Sequence, residues 1–261
     1  MLKGIDISNW QSDLEIGNVA DEIDFCIMKA TEGLGFTDPS CDRHVQQCIE
    51  NGLLWGFYHF ARENDPFSEA DYFYRECKGY IGNGIPILDY ETENASNAGW
   101  CEQFMQAFYE LSGVYPMLYI SASRVPQYSE SWIPDKCGLW IAGYPYDAKI
   151  FTHDVMPYEI FPWSICAIWQ FTSSLRLGGY AGSLDGNMAY MDADAWMLYA
   201  GANPDMHTPM DKTCEQLADE VIAGKWGNGW NRMNALNSAY GKGTYEHVQT
   251  IVDEKLGLEG C

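Results

Sequence analysis

Ile87-Leu88-Asp89-Tyr90-Glu91 is a short apolar run that ends in two acids, and its setting decides the fold. Upstream, Asp65-Pro66 opens a helical pattern; downstream, another helical pattern runs from about Asn97 to Ser112. A nearly continuous apolar run between helices is how a parallel strand buried on both faces reads. This strand, Pro86–Tyr90, is one of eight such runs. The others are Leu2–Ile7, Phe25–Ala30, Leu53–Phe60, Met117–Ser121, Leu139–Gly143, Ile165–Phe171 and Leu184–Tyr190. Eight strands within residues 2–190, with helices between the early ones, predict an α/β fold, an eight-stranded β/α barrel.

The helical punctuation supports this alternation in the first half of the chain. Asp38-Pro39 is expected to cap and open a helix whose apolar stripe is Cys41, Val45, Cys48 and Ile49, stopped by Asn51-Gly52. Beyond the fifth strand the helical patterns fade, and Val155–Trp163 reads as loop. The barrel is therefore expected to be irregular, with fewer helices than strands. After Met197 the composition changes. Ala202-Asn203-Pro204-Asp205 and Thr208-Pro209 form a polar, proline-bearing linker, followed by three short helical patterns. The first has capping-box spacing at Thr213 and Gln216, an apolar stripe of Leu217, Val221 and Ile222, and Gly224 as its stop. The second fits Asn231–Tyr240, and the third starts at Thr244 with Tyr245, Val248, Ile251 and Val252 facing inward. The expected organisation is a barrel over residues 1–200, a linker over 201–212 and a small all-α three-helix module over 213–261.

Composition narrows the function classes. With 47% hydrophobic residues the chain has ample material for a core. Its net charge of −22 argues against nucleic acid or an anionic membrane as partner, since both need basic patches. No apolar run has membrane-spanning length. Met1-Leu2-Lys3-Gly4 enters a strand pattern directly, without the apolar core of a signal peptide. The nine cysteines include no C-x-x-C pair and fall mostly on apolar runs or faces, which reads as reduced, buried thiol. No His or Cys pair has ligand spacing, so no metal and no cofactor are expected. Ten Trp and seventeen Tyr are many for 261 residues, and aromatic faces stack on sugars as well as packing cores.

In a β/α barrel the chemistry sits at the C-terminal strand ends. Asp6 ends the first strand, Asp89 and Glu91 end the fourth, and Asp185 lies near the eighth. Asp89 and Glu91, two apart on an extended chain, share a face with Cα atoms about 6.6 Å apart. Crowded carboxylates cannot all ionise, so one acquires a raised pKa and becomes a proton donor near neutral pH. Acetal hydrolysis needs such a donor, together with negative charge to steady the oxocarbenium ion.

The same residues carry a family likeness. Lys3-Gly4-Ile5-Asp6-Ile7-Ser8 resembles the opening strand of glycoside hydrolase family 25. Ile27-Met28-Lys29-Ala30-Thr31-Glu32-Gly33, Gly56-Phe57-Tyr58-His59-Phe60 and Leu88-Asp89-Tyr90-Glu91 resemble its later motifs. Met117-Leu118-Tyr119-Ile120-Ser121, Leu139-Trp140-Ile141-Ala142, Ile168-Trp169-Gln170-Phe171 and Leu184-Asp185-Gly186-Asn187 continue the match in family order, over nearly all of residues 2–195. The resemblance implies a lysozyme, an N-acetylmuramidase cleaving the β-1,4 bond from N-acetylmuramic acid to N-acetylglucosamine in bacterial peptidoglycan. It implies Glu91 as general acid/base, with Asp89, Asp6 and Asp185 as the other acids of the floor. It also implies retention of configuration, with either the substrate's own 2-acetamido group or an aspartate as nucleophile. Glu32 has two readings, a sugar contact or a loop carboxylate holding Lys29 or Arg62. Tyr58, Phe60, Tyr119, Trp140 and Trp169 lie at or near strand ends, where each either lines the groove or packs the core. His59 reads as a hydrogen-bonded barrel residue.

Leu217 to Gly229 resembles the short three-helix cell-wall-binding repeat of some phage lysozymes. The match is weaker after Gly229, where Trp230 and the Ala239-Tyr240-Gly241 stretch depart from the usual pattern. In this reading Trp226 packs the module core, and Arg232 reaches a carboxylate of the stem peptide. The whole resembles a phage or prophage endolysin, made in the host cytoplasm without a signal peptide and acting on the wall after release. Two other readings stay open: a wall-binding protein with an inactive barrel, and a barrel hydrolase for another N-acetylated glycan such as chitin.

Overall fold

The computed structural model describes residues 1–92, 97–151, 155–201, 214–226, 232–233, 236 and 244–257. Nine strands form one sheet: β1 (Leu2–Ile7), β2 (Phe25–Glu32), β3 (Phe36–Thr37), β4 (Leu54–Phe60), β5 (Ile85–Asp89), β6 (Met117–Ser121), β7 (Leu139–Ala142), β8 (Ile168–Leu175) and β9 (Leu184–Ala189). Their order is β1-β9-β8-β7-β6-β5-β4-β2-β3, and a β1–β2 pairing closes eight of them into a barrel. The two-residue β3 lies outside the ring, antiparallel to the end of β2.

β1 to β8 within the ring run parallel, as their apolar composition predicts. β9 instead runs antiparallel to both neighbours, β1 and β8. The physical reason is the connection. Residues 176–183 are too few for a parallel crossover, which takes about a dozen residues or more, so β8 and β9 must form a hairpin.

Inward-facing side chains of alternate positions fill the barrel, among them Phe25, Ile27, Ile87, Met117, Trp140 and Ile168. Gly4 pairs in register with Phe25, and a Cβ there would lie 2.4 Å from the Phe25 ring. Only glycine lets that ring cross the barrel floor. Trp196, on α5 (Ala193–Tyr199 in this structure), packs 4.6 Å from the Phe25 ring and donates from Nε1 to the Trp55 carbonyl at 3.1 Å. The end at which the parallel strands begin is thereby plugged, and the opposite end is left for a cleft.

Three full helices cover the outside: α1 (Cys41–Glu50), α2 (Pro66–Cys77) and α3 (Ala98–Ser112). Asp65 caps α2, accepting from the Ser68 amide at 2.9 Å, and Asn97 caps α3, accepting from the Trp100 amide at 3.1 Å. Gly113 ends α3 at φ 77°. α1 begins later than expected. Its N-cap is Ser40, and the Asp38 carboxylate is engaged by the Ser40 amide and hydroxyl and by the Asn9 amide. Ile49 leaves the expected stripe and is 54% exposed. Under these helices Phe57, Phe73, Phe104 and Phe108 are fully buried, each contributing roughly 1.5–3 kcal/mol. After β6 the outer layer thins to a 3-10 segment, Ala122–Tyr128, and the one-turn α4 (Ile133–Lys136). Among the described residues no helix separates β7 from β8. Among the described residues the barrel thus has fewer α-helices than strands. Among the described residues no helix is long and apolar enough to cross a membrane.

The chain divides into two compact units, Met1–Ala202 and Asn203–Cys261. In the second, α6 (Cys214–Ile222) and α7 (Thr244–Leu256) bury Leu217, Ala218, Val221, Val248 and Val252 around Leu236, with Trp226, Tyr245 and Ile251 packed against them. Ile222 departs from the expected stripe at 43% exposed. Gly224 follows α6 at φ 79°. The expected helix Asn231–Tyr240 lies mostly outside the described residues, with Arg232, Met233 and Leu236 helical. Thr213, Trp230, Ala239-Tyr240-Gly241 and the proline-bearing linker also lie outside them.

Candidate active site

The alternation of each strand decides which side chains reach the open end. Asp6 is the last inward residue of β1, and Asp89 closes β5 with Glu91 two residues beyond. Asp185 comes at the start of β9, and antiparallel β9 begins where the parallel strands end. Asp6 and Asp185 are accordingly register partners. All four acids line one cleft of about 390 Å³.

Burial raises the pKa of each acid, and repulsion from neighbouring acids adds to it for Asp89, Glu91 and Asp185. Asp89 is almost fully buried, and burial first, then Glu91 and Asp6, push it well up. Its Oδ1 has no hydrogen-bond partner among the described residues. Asp185 is pushed up to about 8 by burial and by Asp6 and Glu91. Asp6 is raised to about 6 by burial, with Asn187 and Gln170 pulling the other way. Asn187 Nδ2 and Gln170 Nε2 both donate to Asp6 Oδ1, at 2.7 and 2.9 Å. Glu91 stands at the mouth with part of its side chain in solvent. Partial burial of its carboxyl, and Asp6, raise its pKa against a lowering pull from Lys29. An acid that is open to the cleft and holds its proton above the ordinary range can deliver that proton to a bound substrate.

Four of the expected aromatic contacts, Tyr58, Phe60, Tyr119 and Trp140, line the same cleft. Two expected contacts do not. Trp169 is fully buried on the outer face of β8, its Nε1 donating to the Gly143 carbonyl at 2.9 Å and its ring 5.7 Å from Phe171. Its neighbour Gln170 takes the inward position, so Trp169 is packing rather than groove. Glu32 is not among the residues lining the cleft and holds Lys29 and Arg62, accepting from Arg62 Nε at 2.7 Å. Burial would raise its pKa, but the two cations outweigh burial and lower it. His59 is a buried structural residue. Its Nε2 lies 2.8 Å from Glu69 Oε2 and its Nδ1 2.8 Å from Thr31 Oγ1. Burial lowers the His59 pKa, and a neutral ring with its proton on Nε2 satisfies both contacts. In the second unit Arg232 donates from Nη1 to Gln249 at 3.3 Å, and Gln249 donates to Asp253 at 2.8 Å.

Several functional side chains were not singled out by the sequence reading. Gln170 accepts from the hydroxyls of Tyr119 (2.9 Å) and Tyr144 (2.5 Å) while donating to Asp6. Asn187 accepts from Trp140 Nε1 at 2.9 Å. These two amides tie the aromatic wall to the acid floor. The available signal was polarity out of place: Gln170 is a buried amide between Trp169 and Phe171, and Asn187 is one beside Met188. Lys29 also lines the cleft, its Nζ 4.7 Å from the Phe60 ring centroid. Among the described residues no group of three or more His, Cys, Asp or Glu side chains is arranged to hold a metal ion. Cys26, Cys41, Cys48, Cys77, Cys101, Cys137 and Cys166 are buried free thiols.

The fold and the cleft place the chain among the β/α-barrel hydrolases. It belongs to the glycosyl hydrolases family 25, which residues 5–180 match; residues 215–256 match the CW_7 repeat. Among its relatives is Lysozyme M1 of Streptomyces globisporus, 27% identical over 77% of this chain and 71% of that protein. The N,O-diacetylmuramidase of Chalaropsis sp is 33% identical over 47% of this chain and 67% of its own length. Among solved structures, the muramidase from Trichobolus zukalii superposes with a TM-score of 0.63 at 26% identity, covering 78% of this chain and all of that one.

Proposed function

We propose that the protein is an N-acetylmuramidase that hydrolyses the β-1,4 bond between N-acetylmuramic acid and N-acetylglucosamine in bacterial peptidoglycan. The observation that carries this reading is the convergence of Asp6, Asp89, Glu91 and Asp185 on one cleft, each with a raised pKa. Glu91, at the open mouth, protonates the leaving oxygen and then serves as base toward water. Asp89, deeper and with one oxygen unpartnered, orients and polarises the substrate's 2-acetamido group, which acts as nucleophile and gives net retention. Asp6, fixed by Asn187 and Gln170 and the least raised of the three floor acids, supplies negative charge at the floor as the oxocarbenium ion forms, with Asp185 beside it. Tyr58, Phe60, Tyr119 and Trp140 supply the wall against which sugar rings lie.

In the same reading residues 1–200 form the catalytic barrel, 201–212 a linker and 213–261 a module that holds the enzyme on the wall. Arg232 is that module's candidate contact to a stem-peptide carboxylate. The site of action is the cell wall, reached after release from a phage-infected host. The test is clearing of purified walls by the full chain and by Glu91→Gln. The wild type clears them. The variant keeps the fold by circular dichroism and loses about 10²–10⁴-fold in rate. A variant retaining more than about a tenth of the wild-type rate removes Glu91 from the role of acid.

A further inference from the structure

The geometry points to Trp10 as a sugar-binding platform at the mouth of the cleft, an inference that rests on the glycan-cleaving function proposed above. Trp10 is 84% exposed, the most exposed aromatic side chain among the described residues, and it lines the same cleft as the four acids. An exposed Trp alone needs no explanation. This one sits on a turn whose backbone is pinned by side chains on both flanks.

Ser8 and Gln11 form a reciprocal cap around Trp10: the Trp10 amide donates to Ser8 Oγ at 3.3 Å, and the Ser8 amide donates to Gln11 Oε1 at 3.1 Å. Just before it, the Asn9 amide donates to Asp38 Oδ2 at 2.7 Å. Asp38 is itself buried, with its other oxygen taken by the Ser40 amide and hydroxyl at 2.9 and 2.6 Å. Just after it, Arg43 donates to the carbonyls of Ser12 and Leu14, at 2.5 and 3.1 Å. A buried carboxylate and a guanidinium therefore clamp the turn on both sides, while its largest apolar side chain is left in water.

A pinned backbone leaves only the side-chain torsions of Trp10 to be ordered when a flat partner arrives, which reduces the ordering cost. The partner chemistry follows from the cleft. A pyranose presents an apolar C–H face and polar edges. An indole offers a matching face, and the acids and amides below offer groups for the edges. Trp10 follows β1 four residues beyond Asp6, so the ring it covers lies on the glycan strand beside the floor acids rather than among them. Trp10 thus extends the site along the strand. It acts on binding of the glycan and not on proton transfer.

The experiment measures kcat and KM on peptidoglycan glycan strands stripped of stem peptides, with the full-length wild type, Trp10→Ala and Trp10→Phe. The proposal expects Trp10→Ala to raise KM about tenfold with kcat within about twofold, and Trp10→Phe to recover most of that loss. Because Trp10 is exposed, both variants should melt with the wild type. An unchanged KM in Trp10→Ala, or a loss confined to kcat, with an active wild type, overturns the platform while leaving the muramidase reading intact. A wild type that does not cleave the strands at all overturns both.

Discussion

Asp6 on β1 and Asp185 on β9 are register partners across an antiparallel strand pair of the barrel. Like charges in directly opposed cross-strand positions repel. The surroundings break the symmetry: Asp6 receives two amide donors, whereas Asp185 is pushed up to about 8.

That difference gives a stability prediction with a definite sign. A carboxyl whose folded pKa is raised binds more protons in the folded state than in the unfolded one. Its contribution to stability is full below the unfolded value and is lost as pH rises through the folded value. For Asp185 the window runs from its ordinary value of 3.8 to about 8. Asp185→Asn should therefore melt higher than wild type at pH 8, by at least about 2 °C, with the gap narrowing towards pH 4. Thermal melts across that range check it, and a variant less stable at pH 8 contradicts it.

Asp89→Asn tests the nucleophile. If Asp89 polarises the acetamido group, the variant should slow cleavage by about 10²-fold or more, as for other lost electrostatic contacts to a transition state. No sugar should become covalently attached to the protein on either variant or wild type. A peptide recovered with sugar on Asp89 or Asp185 would show direct attack by an aspartate instead.

Trp169→Ala separates packing from sugar contact. With Trp169 fully buried and bonded to Gly143, truncation should cost about 3–5 kcal/mol of stability. Measured at a temperature where the variant is folded, KM should stay at the wild-type value. A stable variant with a raised KM would put Trp169 back in the groove.

The same residue shows where sequence reasoning stops. Acids at strand ends were legible because polarity at the end of an apolar run is a local signal, which Asp6, Asp89 and Glu91 carry; Asp185 stands instead at the start of its strand. The phase of β8 was not legible: Ile168, Trp169 and Phe171 are apolar on both faces, so period two does not say which face is inside. The inward Gln170 settles that only once its bonds to Asp6, Tyr119 and Tyr144 are seen. Glu32 looked equally suited to sugar and to cations, and its choice depends on Arg62, which the chain brings back from 30 residues away. Asp38-Pro39 had the form of a helix start, yet a long-range bond to the Asn9 amide claims the carboxylate. The antiparallel course of β9 was readable in principle from the short 176–183 connection.

The two-unit organisation predicts separable roles. If the second unit holds the enzyme on the wall and so raises effective concentration at an insoluble substrate, truncation before Thr213 should leave cleavage of small soluble muropeptides nearly unchanged and weaken lysis of whole walls. Equal loss on both substrates would make the second unit part of the active site.

The central claim concerns one bond, and the chemistry of the newly exposed ends identifies it. Purified peptidoglycan digested with the full chain, then reduced with borohydride and analysed by mass spectrometry, should yield new reducing ends that are all N-acetylmuramic acid, and Glu91→Gln should yield almost none. New reducing ends of N-acetylglucosamine, or free stem peptides with intact glycan, would contradict the account.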